Sequence, residues 1–185
     1  MARYIMSITA QDRSGIVAGV SEVIFQATGN IEAASQTVHQ GYFAMILLCE
    51  LADGVSTEEV VKGIQKNVGG DLNVYVTEYK APQVRIEQKM QTFIVTSIGP
   101  DKPGILHALT VHLACRDINI DDLYCCVKNG DFVVICQVSV PPELDFFMLQ
   151  SDLEAVGQSL GFQVTVQHEN IFVATNELRL GQSRY

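Results

Sequence analysis

A short motif occurs twice in this chain, at the same place in two similar halves. The motif is Asp12-Arg13-Ser14-Gly15-Ile16 in the first half and Asp101-Lys102-Pro103-Gly104-Ile105 in the second, an offset of 89 residues. The same offset holds without a gap from Tyr4 against Phe93 to Ile46 against Ile135. A repeat of this kind requires each half to be one compact unit that resembles the other. The sequence therefore predicts a duplicated domain.

The length of 185 residues fits this prediction, because two copies of roughly 80 residues are each large enough for a small domain. An apolar fraction of 48% with 18% charged residues is typical of globular domains with filled cores. We expect a first domain at residues 1–80, a linker at 81–91, a second domain at 92–168 and a tail at 169–185. In that tail Ile171-Phe172-Val173 is a candidate for an added strand.

Hydrophobic periodicity predicts the order βαββαβ in each half. The first helix carries an apolar stripe that includes Ile16, Val20 and Ile24, and Ser56-Thr57-Glu58-Glu59 is a capping box that begins the second helix. Short turns with glycine, such as Asn129-Gly130, join the second and third strands as hairpins. This order predicts an α+β fold of two ferredoxin-like units, each a four-stranded antiparallel sheet with two helices on one face.

The sheet face away from the helices is expected to be covered. The strand from Tyr42 to Leu51 is apolar on both sides, since Ala44, Ile46 and Leu48 alternate with the residues that face the helices. A half-exposed sheet should alternate more cleanly between apolar and polar residues. The sister domain or a second chain would provide the cover, and we expect a homodimer.

Charge and composition exclude several classes of protein. A net charge of −9 with only 12 lysines and arginines argues against direct binding to nucleic acid. The longest apolar run, Phe43 to Cys49, is too short for a membrane span. Five cysteines are an odd number and lack the paired spacing of metal or redox motifs, so we expect reduced thiols, a cytoplasmic protein, no metal and no cofactor.

Catalytic motifs are absent from the sequence. There is no phosphate-binding glycine loop with lysine, no helical pair of metal-binding histidines with glutamate and no glycine-flanked serine elbow. His107 and His112 are five residues apart, so they face different directions on a helix. The chain is therefore predicted to be no enzyme and to have no catalytic residue, although an enzyme using Asp12 or Asp101 with His107 stays open as an alternative.

The repeated turn between the first strand and the first helix is the candidate binding site. The first N–H groups of a helix lack internal partners and carry the positive end of its dipole, which favours a small carboxylate. The glycine of each turn lets a ligand approach the backbone, and the aspartate can accept an ammonium group. An asparagine, Asn30 or Asn119, starts the adjacent strand and offers both donors and acceptors. A free α-amino acid fits this pairing of charges.

A purely structural interpretation of the same residues is also open. Asp12 and Ser14, or Asp101, would then cap their helices, the glycines would serve the turns, and the asparagines would take the left-handed position at the helix exit. Both interpretations explain why the pattern recurs in the two halves.

The motif Asp-Arg-Ser-Gly-Ile or Asp-Lys-Pro-Gly-Ile after the first strand, followed by Asn-Ile at the second, resembles the ACT domain, twice over. The layout of two such units with a short tail is similar to the glycine cleavage system transcriptional repressor family. The resemblance implies regulatory modules that bind amino acids where two ACT units meet. Ser14 departs from the usual proline, which loosens the first turn. The ligand-binding residues implied are Asp12, Gly15, Ile16, Asn30, Asp101, Gly104, Ile105 and Asn119.

These observations predict a regulatory protein that binds a small amino acid, glycine or similar, and acts on a protein partner such as a transcription regulator. An alternative is a scaffolding protein that dimerises without ligand. That alternative predicts that substitution of Gly15 and Gly104 disturbs folding without affecting any binding.

Overall fold

The computed structural model describes residues 1–69, 71–81 and 90–173. The chain divides into two compact units, Met1–Gln83 and Val84–Tyr185. Residues 82–89 of the expected linker and residues 174–185 of the expected tail lie outside the described residues. Each unit has the predicted order βαββαβ.

In the first unit the strands are β1 (Ala2–Gln11), β2 (Asn30–His39), β3 (Tyr42–Leu51) and β4 (Asn73–Glu78), and the helices are α1 (Ile16–Gln26) and α2 (Thr57–Val68). In the second unit the strands are β5 (Gln91–Pro100), β6 (Asn119–Lys128), β7 (Asp131–Val140) and β8 (Gln163–His168), and the helices are α3 (Ile105–Ala114) and α4 (Phe146–Leu160). The strand orders are β2-β3-β1-β4 and β6-β7-β5-β8, and all pairs are antiparallel. The predicted ferredoxin-like fold is confirmed.

Local chemistry explains the element boundaries. Asn129 and Gly130 both have positive φ, 55° and 90°, as the tight turn of a two-residue hairpin requires. The Ser56 side chain accepts a hydrogen bond from the Glu59 amide at 3.4 Å, so the predicted cap of α2 is confirmed. Asp145 caps α4 in the same way, accepting from the Met148 amide at 3.0 Å.

Each sheet buries its inner face against its own two helices. In α1 the buried residues Ile16, Val20 and Ile24 lie on the predicted apolar stripe. The two cores are separate clusters of buried side chains. The first includes Met6, Ile8, Leu47, Cys49, Ile64 and Leu72, and the second includes Val95, Leu109, Leu113, Val134, Cys136 and Leu153.

The outer face of each sheet carries apolar and aromatic side chains that the unit's own helices do not cover. Tyr75 on β4 is 71% exposed and Tyr124 on β6 is 54% exposed, and Ile46 on β3 and Ile98 on β5 are exposed as well. Cover of these faces stays a prediction.

Two expectations about the chain path are wrong. The left-handed residues at the helix exits are Thr28 (φ 55°) and Asp117 (φ 54°), whereas Asn30 and Asn119 begin strands β2 and β6. Residues 169–173 are helical, so the tail adds no strand there. Ile171, Phe172 and Val173 are β-branched or aromatic residues, which favour strands. This propensity is weak enough for the local context to override it.

Ser97 is fully buried in the second core, and its hydroxyl oxygen has no hydrogen-bond partner among the residues that the structure describes. The same position of the first unit holds Ile8, which is equally buried. An unpaired buried hydroxyl costs free energy, so Ser97→Ala is expected to raise the free energy of unfolding by about 1 kcal/mol. Urea unfolding measures this, with Ser35→Ala on the exposed strand β2 as control. A loss of stability in Ser97→Ala would mean that the hydroxyl is paired.

His112 lies where α3 meets α4. The Nδ1 atom of His112 is 3.4 Å from Nη1 of Arg116, whose Nη2 donates to Asp152 Oδ2 at 2.5 Å. The Nε2 atom of His112 is buried and has no hydrogen-bond partner in the described part of the chain. Burial lowers the pKa of His112 below its usual 6.5, Arg116 lowers this pKa further, and Asp152 opposes the effect.

This lowered pKa makes stability depend on pH. Below pH 6.5 His112 binds a proton in the unfolded chain more readily than in the folded chain, because its pKa is lower in the folded chain. The free energy of unfolding is therefore expected to fall as the pH drops below 6.5. Unfolding in urea at pH 7.5 and 5.5 measures the fall, which His112→Gln should reduce. His107→Gln, a change at an exposed residue of the same helix, should leave the fall as it is.

Candidate functional site

The turns after β1 and β5 present helix N-termini that no side chain caps. Gly15 and Gly104 occupy the N-cap positions of α1 and α3 in left-handed backbone, with φ of 95° and 98°. Neither helix has a hydrogen bond at its cap from the side chain of a described residue. The capping interpretation of Asp12, Ser14 and Asp101 is therefore wrong. The amides of each first helical turn can receive an anionic group.

Open space lies over both glycines. A Cβ built on Gly15 or Gly104 meets no heavy atom within 4 Å among the described residues other than its two chain neighbours. The Ile16 and Ile105 side chains, by contrast, are buried in the two cores. These isoleucines can offer a ligand only their backbone groups.

The aspartates of both turns are exposed, and their carboxylates make no hydrogen bond or ion pair with other residues in the described part of the chain. Their backbones are fixed to the hairpin turns. The Asp12 amide donates to the Gly41 carbonyl at 2.9 Å, and the Asp101 amide donates to the Gly130 carbonyl at 3.3 Å. The backbone of each aspartate is thus held a few residues before a helix N-terminus, and its carboxylate is exposed.

Within each unit, the asparagine lies far from the turn after the first strand. Strand β2 lies next to β3 and not next to β1, and Asn30 pairs with Glu50, which pairs with Arg3 at the start of β1. The turn follows the other end of β1, so about 25 Å of strand separates it from Asn30. Asn119 is placed in the same way in the second sheet. The expectation that each asparagine starts a strand adjacent to the first is wrong.

The two asparagines also differ in their surroundings. Asn119 donates its amide Nδ2 to Asp121 Oδ1 at 2.7 Å, and Ser139 Oγ donates to Asp121 Oδ2 at 2.6 Å. Asp121 lies at the irregularity between Ile120 and Asp122 in the β6–β7 pairing. Because a carboxylate only accepts, this contact orients the Asn119 amide.

In the first unit the β2–β3 pairing has its irregularity between Ile31 and Ala33, and the acid there, Glu32, binds Arg3 instead of the asparagine. Glu32 accepts from Arg3 Nε at 2.8 Å and from Arg3 Nη2 at 2.5 Å, and the Arg3 guanidinium lies 4.5 Å from the centre of the Tyr79 ring. Asn30 receives no such orienting contact from residues that the structure describes. The two units therefore offer different asparagine sites.

Arg13, in the first turn, is a residue that motif reasoning missed. Its guanidinium donates two hydrogen bonds to Asp71, a residue between α2 and β4, and further bonds to the carbonyls of Gln11 and Val68. The sequence signal for this role was the difference between the two copies of the motif. The first copy has Arg13 and Ser14 at the positions where the second has Lys102 and Pro103.

Depressions in the surface lie away from the turns. One lies between α2 and β4, one on the outer face of the first sheet, and one between α4 and β8, and none of the three includes residues of either turn. Within residues 1–69, 71–81 and 90–173 there is no group of three or more histidine, cysteine, aspartate or glutamate residues placed to hold a metal ion. Across those same residues no helix is long and apolar enough to cross a membrane.

Comparison with known proteins identifies the fold family. A sequence profile of the ACT domain matches residues 91–167. A UPF0237 protein from Methanosarcina acetivorans is 38% identical over 81 residues, which are 43% of this chain and 88% of that protein. The chain belongs to the ACT-domain family. A UPF0237 protein from Methanopyrus kandleri is 40% identical over 77 residues, covering 41% of this chain and 84% of that protein.

Two solved structures match this ACT-domain chain over nearly its whole length. An unknown protein from Galdieria sulphuraria has a TM-score of 0.71 at 21% identity, covering 90% of this chain and 98% of that chain. A candidate glycine cleavage system transcriptional repressor has a TM-score of 0.63 at 19% identity, covering 90% of this chain and 96% of that chain. At these identities the likeness concerns the fold.

Proposed function

We propose that this ACT-domain protein is a non-enzymatic regulator that binds a small amino acid at the turns after β1 and β5. One observation carries the proposal: in both units an uncapped helix N-terminus follows an exposed aspartate whose carboxylate has no partner among the described residues. The amides attract the carboxylate of the effector, and Asp12 or Asp101 accepts its ammonium group. The site therefore selects a zwitterion.

The open space over Gly15 and Gly104 allows the effector to reach the backbone amides. Glycine and amino acids of similar size are the effectors that we propose, in keeping with the layout that this chain shares with the glycine cleavage system transcriptional repressor family. Since the asparagine and the turn of one unit lie at opposite ends of its sheet, an effector that contacts both types of group takes them from different copies of the fold.

Regulation requires that the effector bind two states of the protein with different affinity. We propose that binding changes contact with a protein partner, for example a transcription regulator, because the net charge of −9 disfavours direct contact with nucleic acid. The chain is proposed to act in the cytoplasm.

Ligand-free dimerisation is the second candidate function, and the outer sheet faces support it. Tyr75 and Ile46 in the first unit, and Tyr124 and Ile98 in the second, form exposed apolar surface of the kind that mediates association. A homodimer is compatible with both candidates, so the effector experiment separates them.

Calorimetric titration with glycine, alanine and serine tests the regulator proposal. We expect heat with at least one of them at millimolar concentration, and no heat with acetate or methylamine, which carry only half of the zwitterion. The double variant Asp12→Asn, Asp101→Asn should lose the heat while keeping the melting temperature, because both carboxylates are exposed. Absence of binding by every amino acid would favour the scaffold.

A further inference from the structure

We infer that Arg13 and Asp71 form a clamp that holds the first turn in its ligand-binding conformation, the task that Pro103 performs in the second unit. This inference rests on the proposed function of the turns. Arg13 and Asp71 are positioning residues, since they act on the backbone of the turn and not on the effector.

The guanidinium of Arg13 is fixed from three directions. Nη1 donates to Asp71 Oδ2 at 3.0 Å and Nη2 donates to Asp71 Oδ1 at 2.8 Å, a two-point contact that sets the plane of the group. Nη2 also donates to the Val68 carbonyl at 3.1 Å, and Nη1 donates to the Gln11 carbonyl at 3.2 Å. The clamp thus ties the end of β1 and the turn to the end of α2.

The surroundings of Arg13 are adapted to this contact. Val68 is the last residue of α2, where unpaired carbonyls and the helix dipole favour a cation. Gly69 follows with a φ of 123°, and a Cβ built on it would lie 3.0 Å from Arg13 Nη2. A side chain at position 69 would therefore crowd the guanidinium.

The second unit holds the same backbone conformation by other means. Lys102 replaces Arg13 and Pro103 replaces Ser14, while Gly104 has a φ of 98° against 95° for Gly15. The proline ring restricts the backbone directly. A lysine ammonium lacks the two-point geometry of a guanidinium, and Lys102 makes no ion pair within the described residues.

This difference has a measurable consequence. Arg13 and Asp71 have side chains that are 34% and 53% exposed, so dissolved salt screens their attraction. The affinity of the first turn for an amino acid should therefore fall with ionic strength more steeply than the affinity of the second turn.

The full chain with Gly104→Val reports the first turn alone, with glycine as the probe. In that background Arg13→Ala and Asp71→Asn are each expected to weaken glycine binding about three- to tenfold. Adding Ser14→Pro to Arg13→Ala should restore binding, because it supplies the restraint found in the second unit. Asp53→Asn, which removes the ion pair between this carboxylate and the Met1 ammonium in the same unit, should leave binding unchanged.

Backbone ¹⁵N relaxation of Gly15 and Ile16 tests the clamp independently of any effector. Order parameters at these amides should fall in Arg13→Ala and recover in Arg13→Ala, Ser14→Pro. Unchanged order parameters in Arg13→Ala, or failure of Ser14→Pro to restore them, would overturn the clamp. A third outcome is that the turn is rigid in the parent chain and loosens in Arg13→Ala, but that glycine binds to no variant. This outcome would support the clamp and overturn the proposed function.

Discussion

Gly15→Ala and Gly104→Ala are expected to weaken amino-acid binding at the altered turn at least tenfold and to lower the free energy of unfolding by about 1–2 kcal/mol. The stability loss arises from the backbone, since φ values of 95° and 98° strain any residue with a Cβ. It does not arise from crowding, because the added Cβ meets no heavy atom within 4 Å. The binding loss has a separate cause: the methyl group would fill the space through which, as we propose, the effector reaches the helix amides.

Gly54→Ala is the matched control for this prediction. Gly54 has a φ of 86° and equally open surroundings, but it lies between β3 and α2, away from the turn. It should lose similar stability in urea unfolding while its glycine titration stays like that of the parent chain. Equal loss of binding in Gly15→Ala and Gly54→Ala would show that the effect follows stability, and the turn would then not be the binding site.

The duplicated motif predicted the turn well because its requirements are local. Glycine at position 15 or 104 suits a left-handed residue between a strand and a helix, and the structure places both there. The hairpin at Asn129-Gly130 and the cap at Ser56 were predictable for the same reason. In each case the physical cause lies within four neighbouring residues.

The asparagines show where local reasoning stops. Asn30 follows the first helix directly in sequence, yet strand β2 lies two places from β1 in the sheet. The order of the strands in a sheet depends on how all four strands pack against the helices. The sequence of a single strand does not determine this order. The clamp is hidden for a related reason, because Arg13 and Asp71 are 58 residues apart and the two halves lose their common register near the second helix.

Gly157→Ala in α4 is expected to lower the free energy of unfolding by about 1–3 kcal/mol. Two effects oppose each other at this position. Alanine favours the helix over glycine by about 1 kcal/mol. Against this, the added Cβ would lie 2.5 Å from Val164 Cγ2 and 2.8 Å from the Phe162 carbonyl oxygen. The Phe162 carbonyl is part of the backbone that leads from α4 into β8, so it cannot shift unless that backbone shifts too. The cost of crowding therefore outweighs the gain in helix propensity.

Gly63→Ala in α2 separates the two effects. The Cβ added there would meet only the Val23 side chain, at 2.9 Å from Cγ1, and a partly exposed valine can rotate or shift. Helix propensity then offsets most of the crowding, and the change in stability should stay within about 1 kcal/mol. Urea unfolding of both variants measures the contrast. Equal stability of Gly157→Ala and the parent chain would mean that α4 can move away from β8, which the close backbone approach at Phe162 argues against.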